Sequence, residues 1–249
     1  MRLLYDEPML TEAHVGTRIA SAVDFLKGTR EPHALLFLNI LHRRFGIEEF
    51  AGVLERYDEV LTERPNEAPL LRVFRRIGDA DNPVDPDDWD HVKSARDRLL
   101  VSALYCDRLG LPSSFAEVLQ KAASAGGYSL THALLTWIWV RENGCELALP
   151  DGFVEKMYAD VAAIIDSDPE IINDLKLEAA AFLCMARQSR LVDLEFVRRV
   201  IAIQNDDGGW GRPDEGAGNP DESSWHSTIL ALMLLLHVRF PGDANPQTQ

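Results

Sequence analysis

The sequence predicts an all-α protein, and three observations carry that expectation. Apolar residues recur at i, i+3, i+4 and i+7 along nearly the whole chain. Strand-like alternation bounded by turn residues is scarce. Glycines and prolines stand where helices would stop and start. About eleven helices follow in order. The first, near 11–27, ends at Gly28, and the second, 33–45, ends at Gly46. Segments 47–61 and 67–77 come next, the latter entered through Pro69 and closed by Gly78. A long helix over 87–109 runs to Gly110, and 113–124 opens just after Pro112. The helix 129–142 ends before Gly144, and 151–166 follows Pro150. The last three are 169–188, entered at Pro169, then 193–204 and 223–240.

The apolar quality of these helices differs. Leu35–Leu41, Ala133–Val140, Ala179–Met185 and Ile229–Val238 are apolar on nearly all sides, which predicts burial all round. Segments 47–61, 151–166 and 193–204 carry charge on one face and suit an outer layer. Two stretches break the periodicity, 78–90 and 205–222, both rich in Asp, Asn, Gly and Pro and both expected as loops. Six Asp fall in the first, without the Gly and Glu positions of an EF-hand, so it reads as an acidic solvated loop. The pairs Arg43-Arg44, Arg75-Arg76 and Arg198-Arg199 read as solvated helix ends. The segment from Pro241 reads as a frayed tail.

Charge excludes whole classes of partner. With 25 Lys+Arg against 40 Asp+Glu the formal net charge is −15, which disfavours nucleic acid and anionic lipid. The longest apolar run, Ile229–Leu236, is far shorter than a bilayer span, and no signal-peptide core follows Met1. Three cysteines, Cys106, Cys145 and Cys184, form no CxxC pair and read as reduced, buried thiols of a cytoplasmic protein. A hydrophobic small molecule or a basic protein surface fits the charge as a partner, and no cofactor or metal is specified by any motif.

A degenerate repeat of roughly 40–50 residues, the length of a helical hairpin, is visible. Phe115–Gln120, Gly126-Gly127-Tyr128 and Thr131-His132-Ala133 share a frame with Phe196–Gln204, Gly208-Gly209-Trp210 and Trp225-His226. Weaker copies begin at His33 and His91, and Leu175–Leu183 is an apolar helix led by acid instead of His.

The segment Gln204-Asn-Asp-Asp-Gly208-Gly209-Trp210 resembles the QW repeat of squalene and hopene cyclases, and Ser224–Leu232 is similar to the helix that follows it. The latter also resembles the aromatic-His-Thr segment of protein prenyltransferase β subunits, in which the His is a zinc ligand. The resemblance covers about 195–240, with an echo at 115–140. It implies an α/α toroid of about six helical hairpins forming one domain over 1–240, with 241–249 as a tail. It also implies that Gln204 and the loop carboxylates brace neighbouring helix ends under Trp210.

The departures are chemical. No DDxxD occurs, no Asp-x-Cys pair precedes His226, and Asp85-Pro86-Asp87-Asp88 lies in an acidic loop rather than an apolar cavity that would hold an acid protonated. The expected function is an enzyme acting on a hydrophobic, isoprenoid-like substrate in the ring. His132, His226 and Glu178 are its candidate catalytic residues, because imidazole and carboxylate suit acid–base or metal work. Trp225, Tyr128, Trp137, Asp174 and His33 are the candidate ligand-binding residues. The competing expectations are a non-catalytic binding scaffold and a metal-dependent tailoring enzyme built on the His/Glu set.

Overall fold

The computed structural model describes residues 11–83, 85–168, 170–211 and 222–241. The regular structure among its described residues is almost entirely helical, as the periodicity requires, with a single two-stranded sheet among them. The described chain separates into two compact units, one holding 11–29 and the described residues of 165–241, the other the described residues of 30–164.

The first unit contains α1 (Glu12–Leu26), α11 (Asp174–Met185), α12 (Leu194–Ala202), β1 (Trp210–Gly211), β2 (Ser223–Ser224) and α13 (Trp225–Arg239). Helix α13 packs against both α1 and α11. Its residues from Ser227 to His237 are all buried, and so is every residue of α11 except half-buried Leu175, matching the all-round apolar character of both sequences. Helix α12 buries one face, Phe196, Val197, Val200 and Ile201, and turns its charges outward.

One turn ties these helices together. Trp210 is fully buried, and its indole Nε1 donates to the Val200 carbonyl of α12 at 2.7 Å. Its backbone N–H donates to Thr228 Oγ1 of α13 at 3.0 Å. Gln204 reaches the third helix, with Nε2 donating to Arg18 O of α1 at 3.0 Å and to Gly208 O at 2.8 Å, while Arg18 Nη1 donates back to Gln204 Oε1 at 3.3 Å. Asp207 accepts from Gly209 N and from Ser223 Oγ, holding the turn against β2. Gln204 thus braces the middle of α1 rather than a helix end. Gly208 has φ +89°, and a Cβ there would lie 2.3 Å from the backbone oxygen of Ser21.

The second unit runs through α2 (Pro32–Phe45), α3 (Val53–Glu63), α4 (Ala68–Phe74), α5 (Pro86–Trp89), α6 (Ala95–Leu104), α7 (Cys106–Leu109), α8 (Phe115–Ser124), α9 (Gly127–Glu142) and most of α10 (Phe153–Asp166). Helix α9 is the buried element, packed on α6 and α8, while α2 packs on α3. Four expectations are corrected here. The helix expected over 87–109 is three helices. Ser94 starts α6 by accepting from Asp97 N at 2.9 Å, and Tyr105 ends it with φ −114°, its hydroxyl donating to Val73 O at 2.9 Å. The segment 47–61 opens as a 3-10 turn over Glu48–Phe50 and becomes helical only after Gly52, whose φ is +72°.

Arg76 is not a solvated helix end. It is buried, donating to Leu104 O at 3.2 Å, to the Ala80 carbonyl and to Asp107 at 2.7 Å, with its guanidinium 5.5 Å from the Tyr105 ring centre. The acidic stretch that follows it is partly structural too, since buried Asp88 accepts both 2.6 Å bonds of Arg72.

The thiols are the fourth correction. Cys106 and Cys145 form a disulfide across 39 residues, joining the α6–α7 junction to the segment after α9, and only Cys184 is free. Disulfides persist in oxidising compartments, so the cysteines no longer argue for the cytoplasm. Of the second loop, 205–211 and 222 are described, and its Trp210–Gly211 strand pairs with Ser223–Ser224, two residues expected to open the last helix. Asp214, Glu215, Asp221 and the tail beyond Pro241 lie outside the described residues.

Two measurements test this account. Gly208→Ala should lower stability to urea by at least about 2 kcal/mol, because Cβ meets backbone in a left-handed conformation. Gly28→Ala, with open space around it, should change stability by less than about 1 kcal/mol. Equal effects would remove the turn from its bracing role. Burial pushes the Cys184 thiol up to about 12, so it stays protonated and unreactive to thiol reagents at pH 8. The native protein should show no titratable thiol, one after unfolding, and three after reduction. Two reactive thiols in unreduced, unfolded protein would remove the disulfide.

Candidate functional site

The N-terminal turns of α11 and α13 meet in the first unit and bring three titratable side chains together. Asn173 starts α11 by accepting from Lys176 N at 3.0 Å, which places Asp174 at the first helical position. A carboxylate there is favoured by the helix dipole. Glu178 lies one turn further on and so shares its face. Lys176 points elsewhere, its Nζ donating to the Ser167 carbonyl and, at 2.7 Å, to Asp168 O.

On α13, Ser224 Oγ accepts from His226 N at 3.2 Å and fixes where the helix begins. Thr228 Oγ1 donates to Ser224 O while accepting from Trp210 N, so the buried turn holds the same helical turn that presents His226.

His226 Nδ1 lies 2.8 Å and 3.0 Å from the two oxygens of Asp174, and Ser227 Oγ donates to Asp174 Oδ1 at 2.8 Å. His226 Nε2 is 3.8 Å from Glu178 Oε2. Asp174 and Glu178 are 0% and 1% exposed as residues, whereas the His226 side chain keeps 27% of its exposure. The ring of half-buried Trp225 stands edge-on to His226 at 5.2 Å.

A carboxylate has only lone pairs to offer, so the His226 nitrogen facing Asp174 is the N–H donor. The second nitrogen is thereby aimed at Glu178 and is the one placed to carry a proton or a metal ion. One ligand atom from each of the three residues lies within 4.8 Å of the others, and this is the one such metal-capable group among the described residues.

The other sequence candidates belong to the second unit. His132 is half-buried on α9, its Nδ1 2.7 Å from Tyr128 O one turn back, and Tyr128 is exposed. The frames around His132 and His226 therefore diverge. Gly127 and Tyr128 are already helical, whereas Gly209 and Trp210 are buried and lead from a turn into β1. His33 packs its ring edge-on against Phe74 at 5.7 Å, and His91 is exposed. Trp137 is half-buried, with Nε1 donating to Tyr158 Oη at 3.2 Å and Arg141 stacked 5.7 Å over its ring, while Trp139 is core.

Sequence reasoning passed over Ser227, the second donor to Asp174. Its only signal is adjacency to His226. A cleft of about 1000 Å³ in the first unit is lined by Ile171, Arg199, Ile203 and neighbouring residues but by none of the three clustered side chains. The chemistry is therefore assigned by side-chain geometry and not by volume.

Asp174→Ala should cost about 1–3 kcal/mol, since it strips the acceptor from two donors. Nitrogen-15 NMR of the wild-type ring should find the Nδ1–H tautomer of His226, and in Asp174→Ala that preference should vanish. A native Nε2–H tautomer would contradict the arrangement.

No protein-family model matches the chain, and no solved structure matches it. Among curated proteins, the chain is similar to the UPF0764 protein C16orf89 homolog of Mus musculus, at 31% identity over 130 residues. The matched region covers 47% of this chain and 33% of that protein, so the chain spans about a third of the length of the curated relative it matches.

Proposed function

We propose that the protein is a divalent-metal-dependent enzyme whose centre is His226 Nε2 and Glu178, with Asp174 orienting the imidazole from behind. The observation that supports this most is the pairing of His226 Nδ1 with a fully buried carboxylate, which commits Nε2 to the side where Glu178 lies. Carboxylate–histidine–metal arrangements have this form. Ligand bonds of about 2.0–2.2 Å let two donors as far as about 4.2 Å apart share one ion. The 3.8 Å gap between Nε2 and Oε2 falls within that reach. Two protein ligands leave coordination positions for water and substrate, the condition that separates catalytic from structural sites. An ion held there would polarise a bound carbonyl or activate bound water.

The partially exposed Trp225 ring beside His226 supports an apolar group next to the reacting one. The hydrophobic, isoprenoid-like substrate expected from the Gln204–Trp210 resemblance is kept within this proposal. So is the ring of helical hairpins, which the alternation of mostly buried helices (α9, α11, α13) with one-faced helices (α3, α8, α12) supports. The disulfide supports an oxidising compartment over the cytoplasm as the place of action.

Titration of the full chain with zinc and cobalt(II), read by calorimetry and visible absorption, tests the centre. One equivalent should bind. His226→Ala and Glu178→Gln should abolish it, and Asp174→Asn should weaken it about 10–100-fold. Absence of stoichiometric binding to folded protein would leave the non-catalytic scaffold as the better reading.

A further inference from the structure

Within the second unit, α5 and the chain that follows α7 enclose an open groove of about 460 Å³. It is lined by Pro86, Trp89 and Asp90 from α5 and its exit, by Ser102 of α6, and by Leu109, Leu111 and Pro112. Trp89 is anchored edge-on against buried Tyr105 at 5.8 Å, so that wall is fixed. Leu109 is 56% exposed, among the most exposed large apolar side chains of the described chain. A leucine and a tryptophan facing one open groove carry an apolar surface that water solvates poorly.

The rim has a definite sign. Asp81, Asp85, Asp87 and Asp90 are exposed along the stretch that supplies the Trp89 wall. The nearby guanidinium groups are committed to internal acceptors. Arg72 binds Asp88, Arg76 binds Asp107, Arg98 donates to Val92 O, and Arg108 donates to the Ala80 and Asn82 carbonyls. Lys93 and Arg96, the latter 3.9 Å from Asp97, are the exposed cations that follow this stretch in sequence.

We propose that this groove docks a basic, apolar-anchored segment of a partner protein. A leucine-class side chain of that segment enters between Trp89 and Leu109, and its Lys or Arg residues face the aspartate rim. An apolar slot gives the anchor its affinity, and the surrounding carboxylates select for positive charge and speed association. The site is separate from His226 and stands or falls independently of the metal centre.

The probe is a labelled amphipathic peptide of Leu and Lys at helical spacing, compared with its Leu/Glu counterpart, by fluorescence anisotropy on the full chain. Hydrogen exchange of the complex locates the contact. The Lys peptide should saturate and protect 86–90 and 109–112. Leu109→Glu and the pair Asp87→Lys/Asp90→Lys should each weaken it about tenfold or more. Leu194→Glu is the control, since Leu194 is an equally exposed leucine of the other unit and its change should leave binding intact. The substituted groove side chains are exposed, so folding is preserved. Equal binding of the Glu peptide, protection elsewhere, insensitivity to Leu109→Glu, or no saturable binding would each overturn the proposal.

Discussion

The contact on which the first unit depends is the insertion of Trp210 among helices. A single indole fills the space between α12 and α13, and its N–H satisfies a carbonyl that α12 would otherwise leave unpaired at its end. The approach is close enough that two neighbouring positions tolerate only glycine. A Cβ on Gly209 would lie 2.4 Å from that of Ser223, just as one on Gly208 would strike α1. Sequence-distant helices are thereby held by hydrogen bonds of fixed direction, and not by apolar contact alone. Apolar contact permits sliding, whereas donor–acceptor pairs do not. That difference matters because His226 belongs to the helical turn whose Thr228 receives the Trp210 amide.

The cluster around His226 is a case of burial made tolerable by geometry. Two carboxylates at 0% and 1% exposure are costly to desolvate unless donors surround them. For Asp174 the donors include an imidazole N–H and a hydroxyl. Hydrogen bonds to a charged acceptor are the stronger kind, and here they fix the tautomer of the ring. The same bond that stabilises the acid therefore decides which nitrogen of His226 is left to face Glu178.

Much of the helical content was legible because period and punctuation agree. The segments expected at 11–27, 33–45 and 223–240 differ from α1, α2 and α13 by one or two residues. Helix 87–109 was misread because continuous apolar spacing hides the two events that break it. One is the Ser94 cap and the other a tyrosine whose hydroxyl is needed in the core. For the centre, Asp174, Glu178 and His226 could be singled out because acid leads one apolar helix and His another. Their pairing was not legible, since 52 residues separate Asp174 from His226 and only tertiary packing closes the distance. The resemblance between the frames of His132 and His226 misled for the same reason. Spacing repeats, but Tyr128 has no slot like the one Trp210 fills. The disulfide was hidden because spacing alone says nothing of which cysteines meet.

The cystine also has a mechanical meaning. Cys106 and Cys145 lie 39 positions apart and enclose both α8 and α9, the second of which is the buried helix of its unit. Pulled from its ends, the chain transmits tension through the sulfur bridge and bypasses everything between. That loop withholds roughly 130 Å of contour length at full extension. While the bridge is intact, α8 and α9 cannot be drawn out by force, and they can lose structure only within a closed circuit of chain. A protein exposed to tugging by translocases or surfaces would keep that section last.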